Sequence, residues 1–121
     1  MTFKKSILLL TATAGLLLAD TVVDQANKMI AEKKYDDAIA LLEPAYKSKP
    51  TPDLKKALAN ANMAKADNFM NDASLPPRAK YTGALKAYRE VLKYDKDNKK
   101  AQENISTIEG IYKSMGRPIP Q

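Results

Sequence analysis

The sequence predicts an all-α fold made of antiparallel helix pairs. Three observations predict it. From Asp20 onward apolar residues recur at intervals of three and four, short polar breaks separate these stripes, and one frame of small and bulky residues occurs twice. The frame first runs through "KKYDDAIALLEPAYKSKP" from Lys33 to Pro50, and returns in "KYTGALKAYREVLKYDK" from Lys80.

The first nineteen residues, "MTFKKSILLLTATAGLLLA", are of another kind. Lys4 and Lys5 form a cationic start, Ile7 to Leu18 is an apolar run broken by Thr and Gly, and Ala19 precedes the polar Asp20. That order is the one of a secretory signal peptide. As a helix, Ile7 to Ala19 would span roughly 20 Å, short of the ~30 Å hydrocarbon core of a bilayer. Residues 1–19 are therefore expected to be a cleaved signal peptide or, if retained, a hydrophobic anchor helix, and residues 20–115 the helical domain. Either way the domain is expected outside the cytoplasm, periplasmic or anchored facing the periplasm.

Two stripes follow. Val22–Val23, Ala26 and Met29–Ile30 make the first, and Ala38, Leu41–Leu42 and Ala45 the second, with the tight polar link "EKKYDD" between them. A short polar link between two such stripes folds them into an antiparallel pair. Pro44 removes a backbone donor inside the second helix and is expected to bend it outward. Pro50 and Pro52 end that helix, and Thr51 can cap a third whose first turn holds Pro52 and Asp53. The third helix, "PDLKKALANANMAKADNFMNDA", is rich in alanine, which implies close approach by its neighbours. "SLPPRA" breaks the chain again, with Ser74 available as a cap. A fourth helix from Pro77 to Tyr94 carries Ala84, Leu85, Tyr88, Val91 and Leu92, and Asp97 can cap a fifth striped by Ala101, Ile105, Ile108 and Ile111–Tyr112. Residues 116–121 are expected to be an extended tail, mobile at its end.

The recurring frame has a physical reading. A small residue where two helices cross lets their axes approach, and a bulky residue one turn on fills the space above the crossing. Ala38 and Ala84 are the expected crossing residues, Leu42 and Tyr88 the fillers, and Tyr35 and Tyr81 the helix-start residues packed over the connecting turn.

On these residues the chain resembles the tetratricopeptide repeat family. The first unit is carried by Ala26, Tyr35, Ala38, Leu42, Ala45 and Pro50, and the second by Tyr81, Ala84, Tyr88 and Val91, with Lys96 where a closing proline is usual. The resemblance implies a right-handed stack of two helix hairpins and a C-terminal capping helix, working as a protein-interaction scaffold. Ala38 and Ala84 stand 46 residues apart, whereas the family repeats at about 34. The surplus falls around "FMNDASLPPRAKY". It is expected to lengthen the third helix and the turn after it as a projecting ridge.

The resemblance also implies where a partner would lie. The first helix of each pair and the capping helix line the inner wall, so Asn27, Asn60, Lys65 and Asn104 are the candidate groove residues. Solvated surface positions are the bland reading of Asn60, Asn62, Asn68 and Asn71.

Charge supplies a second candidate surface. The chain's net charge is +6, and setting aside Lys4 and Lys5 leaves +4. From Arg78 to Lys100 eight basic residues face three acids. Arg78, Lys80, Lys86, Arg89 and Lys93 on the fourth helix form a candidate basic face for anionic lipid or an acidic partner. A solvated helix face is the competing reading. Nucleic acid is disfavoured, because the aromatic residues are needed in the helix stripes.

Catalysis finds little material. The chain contains neither cysteine nor histidine, which removes disulfides, thiolate or imidazole nucleophile pairs and the commonest zinc ligands. No phosphate-cradling glycine loop or serine elbow is present, and Asp36–Asp37 and Asp95 with Asp97 read as helix-end acids. No cofactor, metal or enzymatic activity is expected. Two functions stay open: an exported adaptor that holds a peptide or protein, and a structural accessory subunit of a membrane complex, anchored by Ile7–Ala19 and docking through its basic side. Two repeats and a cap are few, so self-association is open as well.

Overall fold

The computed structural model describes residues 20–121, so the expected signal or anchor segment, residues 1–19, lies outside the described residues. All regular structure among the described residues is α-helical. Helix α1 covers residues 20–31, followed by α2 (Tyr35–Ser48), α3 (Pro52–Asn71), α4 (Pro77–Tyr94) and α5 (Lys99–Ser114). No helix among the described residues is long and apolar enough to cross a membrane.

Local chemistry sets each boundary. α1 stops in a turn where Lys34 N–H reaches the Met29 carbonyl at 2.7 Å and Lys33 N–H the Ile30 carbonyl at 3.0 Å. Lys33 takes φ +62° to make it. This is the Schellman closure, normally built on glycine. α5 ends the same way, with Gly116 at φ +64° and Arg117 N–H on the Tyr112 carbonyl at 3.0 Å. Asp36 and Asp37 occupy the first turn of α2, where carboxylates meet the positive end of the helix. Thr51 caps α3 through its hydroxyl oxygen, which accepts from Leu54 N–H at 3.2 Å.

Several expectations need correcting. The cap of α5 is Asn98, whose side-chain oxygen accepts from Ala101 N–H at 3.0 Å, one residue beyond Asp97. Ser74 does not cap α4, which opens after Pro76 without a side-chain cap. Its N–H and hydroxyl instead donate to Asp72 Oδ1 at 2.9 and 2.6 Å, and these bonds hold the Asp72 carboxyl below its ordinary value. α2, by contrast, runs on through Pro44 as the sequence implies; Ala40 and Pro44 share its exposed side, so water can serve the carbonyl that the proline leaves free. Tyr81 lies in the second turn of α4, half-buried against the core.

The helices form two layers. Sequential neighbours α2 and α3, α3 and α4, and α4 and α5 pack together. α1 joins α3 through a shared cluster in which Ala26 meets Leu54, Ala57, Leu58 and Ala61, and α5 joins it through Ala59, Ala66, Ala101 and Ile108. On the other side Tyr46 of α2 and Tyr94 of α4 stack edge to face, ring centroids 5.7 Å apart. Thus α1, α3 and α5 lie in one layer and α2 and α4 in the other. Two clusters fill the interior, one under α1 and α2 and one between α4 and α5, with α3 feeding both. Asn62, buried among them, satisfies its amide on the Leu58 carbonyl of its own helix at 2.9 Å.

Ala38 and Ala84 are both fully buried, with Leu42 and Tyr88 buried beside them. The surplus residues between the two frames are mostly helix, since α3 runs for 20 residues. Phe69, at the start of this stretch, packs on α4 so closely that a Cβ at Gly83 would lie 2.6 Å from its ring, while most residues from 71 to 79 are exposed. The tail is not loose. Ile119 packs against the α4–α5 cluster, and Arg89 donates to the Pro120 carbonyl at 2.7 Å.

Ala38→Leu will overpack the first hairpin and lower stability by roughly 1–3 kcal/mol, measured by urea unfolding; an unchanged midpoint would rule out the close crossing. Lys33→Gly will raise stability by about 0.5–1 kcal/mol, because glycine enters the left-handed region without the Cβ clash. A lower midpoint in that variant would contradict the turn geometry.

Candidate functional site

A cleft lies between α1 and α3. Each helix contributes residues at the same spacing: Asp20, Val23, Asp24 and Asn27 from α1, and Asp53, Lys56, Ala57 and Asn60 from α3. Intervals of three and four keep four side chains on one face of a helix, so two matching rows confront each other across the gap. The cleft encloses ≈ 570 Å³. Val23 and Ala57 give it an apolar floor, and Asn27 and Asn60 stand together at one end of the rows. Three carboxylates against one lysine make it acidic, in a chain that is basic as a whole.

The α3 row continues toward α5. Asp67 is one heptad beyond Asn60, as Asn60 is beyond Asp53, so all three lie on one stripe. At Asp67 the stripe is closed by a polar network. The hydroxyl of the buried Tyr88 donates to Asp67 Oδ1 at 2.6 Å, Lys100 Nζ donates to Oδ2 at 2.9 Å, and the Asn104 side chain also reaches the Tyr88 hydroxyl. Burial first, and the Asp67 carboxylate second, push the Tyr88 phenol above its ordinary value of 10.0. The folded state therefore keeps a proton that the unfolded chain releases, so this contribution is complete below pH 10 and shrinks as the pH rises above it.

Asn27, Asn60 and Asn104 accordingly lie along one layer, the first two in the cleft and the third in the network beyond it. Lys65 does not join them. Five residues past Asn60, it sits well round the helix and pairs with Asp36 of α2 at 2.6 Å. It borders two other clefts, one of ≈ 390 Å³ under the α1–α2 turn and one of ≈ 360 Å³ between α2 and α4. Among the asparagines read as solvated positions, Asn60 and Asn71 are exposed, Asn68 is half-buried and Asn62 is buried.

The basic residues of α4 do not make one continuous surface. Lys93 pairs with Glu90 at 2.6 Å, and Lys86 borders the α2–α4 cleft with Glu43 and Glu90. Arg89 is turned to Glu109 at 3.7 Å and to the tail. Lys80 neighbours Asp72. Arg78 faces a separate cleft made with α5 and the tail. Among the described residues no group of acids is arranged to hold a metal ion.

Comparison with protein-family models, with curated proteins and with solved structures returned no match.

The Asp67–Tyr88 network escaped the sequence reading, although the heptad spacing of Asp53, Asn60 and Asp67 is visible there and marks a polar stripe on the helix. Asp67→Ala will strand the Tyr88 hydroxyl and lower stability by about 1–2 kcal/mol. Denaturant titration measures it, and no change would mean that the network carries no energy.

Proposed function

We propose that this chain is a non-catalytic interaction module, a short tetratricopeptide-like array that holds an extended segment of a partner protein along the layer made by α1, α3 and α5. The observation that supports it is the pair of matching rows facing across the α1–α3 cleft, with Asn27 and Asn60 at its end. An asparagine amide offers donors and an acceptor at one position, so two of them can bond the backbone of an extended peptide whatever its sequence. Asp20, Asp24 and Asp53 add a preference for basic side chains in the partner. The helix layering and the buried Ala38 and Ala84 fit a stack of hairpins. A chain without histidine or cysteine suits binding better than turnover.

The module acts outside the cytoplasm in this reading, exported or held at the membrane by residues 1–19. Lys4, Lys5 and the apolar run from Ile7 to Leu18 support that placement.

The test is capture of partners from mild-detergent extracts by the native chain, in parallel with Asn27→Ala/Asn60→Ala. The double variant is expected to melt like the parent and lose the captured protein. Equal capture by both would reject the cleft as the binding surface. Intact mass of the captured chain reports its start, Asp20 for the exported form and Met1 for the anchored one.

A further inference from the structure

A cleft of ≈ 420 Å³, sharing no residue with the α1–α3 cleft, is lined by Arg78 and Thr82 of α4, Tyr112 of α5, and Arg117, Pro118 and Pro120 of the tail. One wall exists because the tail is fixed. Arg89, itself paired with Glu109, donates to the Pro120 carbonyl at 2.7 Å, and Ile119 is packed into the core. Gly116 turns the chain at φ +64°, and the Arg117 that follows it lines the cleft together with Arg78.

We propose that this cleft binds a phosphate group. Arg78 and Arg117 bring two guanidinium forks to one space, and among the described residues neither is engaged in an ion pair. No carboxylate lines the cleft. Thr82 Oγ1 and Tyr112 Oη lie 2.9 Å apart and share one hydrogen bond. Sharing it uses one hydroxyl proton and leaves the other free to donate. Two forks and a hydroxyl supply more donors than the two oxygens of a carboxylate can take in good geometry. The oxygens of a tetrahedral phosphate can engage all of them. Pro118 and Pro120 bring no backbone N–H and little freedom, so the wall carrying Arg117 is stiff. The phosphate can come from a soluble ester or from a lipid headgroup, and the chemistry at the arginines is the same.

The experiment titrates the full chain with inorganic phosphate, following backbone amide and arginine side-chain NMR signals. Shifts are expected at Arg78, Thr82, Tyr112 and Arg117. Arg78→Gln/Arg117→Gln is expected to weaken binding roughly tenfold or more, since each lost charge-assisted bond exceeds the factor-of-ten energy. Lys47→Gln/Lys49→Gln, which removes the same charge elsewhere, is expected to leave it within about twofold. Because both arginines are exposed and unpaired, the double variant should fold. Tyr112→Phe, which keeps the buried ring, gives an independent loss of a few-fold if the tail cleft is used. Vesicles of phosphatidylcholine with and without phosphatidic acid separate the sources. Binding that needs phosphatidic acid and is competed by inorganic phosphate assigns the site to a headgroup, whereas phosphate binding without vesicle preference assigns it to a soluble ester. Absence of any localised shift, or equal weakening by the two charge-removing double variants, would overturn the proposal.

Discussion

Everything in this fold depends on the demand placed on α3. It touches α1 and α2 in one cluster and α4 and α5 in the other, so its buried side serves four neighbours. A helix approached from so many directions cannot carry bulky side chains everywhere. Interaxial distance is set by the residues at the contact, and α3 meets the demand with Ala57, Ala59, Ala61 and Ala66, all buried. Leucines are confined to its first two turns, at Leu54 and Leu58. The polar stripe of exposed Asp53 and Asn60 and half-buried Asp67 forms one side of the candidate binding layer. Closeness of packing and placement of the candidate site are thus two results of the same residue choice.

Much of this was legible in the sequence. Five helices can be placed from the three-and-four spacing of apolar residues, and Pro52, Thr51 and the Pro76–Pro77 pair mark boundaries within a residue or two because their constraints are covalent or local. The burial of Ala38 and Ala84 could be read from a recurring frame. The caps at Asp97 and Ser74 were misplaced because several neighbouring residues in "DKDN" and "DASLPP" can serve chemically. The choice among them depends on backbone angles that composition does not encode. Asn98 wins because its oxygen reaches Ala101 N–H, while Asp72 draws Ser74 into a bond of its own.

The site was less legible, for a different reason. Asn27 and Asn60 belong to one cleft, yet Lys65 turned away, since a residue five places on from Asn60 points elsewhere on the helix. The basic residues of α4 were read as one face from their number, but Arg89 turns to Glu109 of α5 and the tail carbonyl of Pro120, while Lys93 pairs with Glu90 of its own helix. Long-range pairs of this kind have no signature in a single chain. The tail itself was misjudged because prolines and a glycine usually mean a loose end, whereas here half-buried Ile119 packs against the α4–α5 cluster.

The edge-to-face pair of Tyr46 and Tyr94 has a practical consequence. It joins α2 to α4 across the boundary between the two clusters, and the chain has no tryptophan. Ring coupling at 5.7 Å makes near-ultraviolet dichroism sensitive to that seam with no indole signal to mask it. Part of the tyrosine dichroism of the unmodified chain therefore reports on the α2–α4 contact.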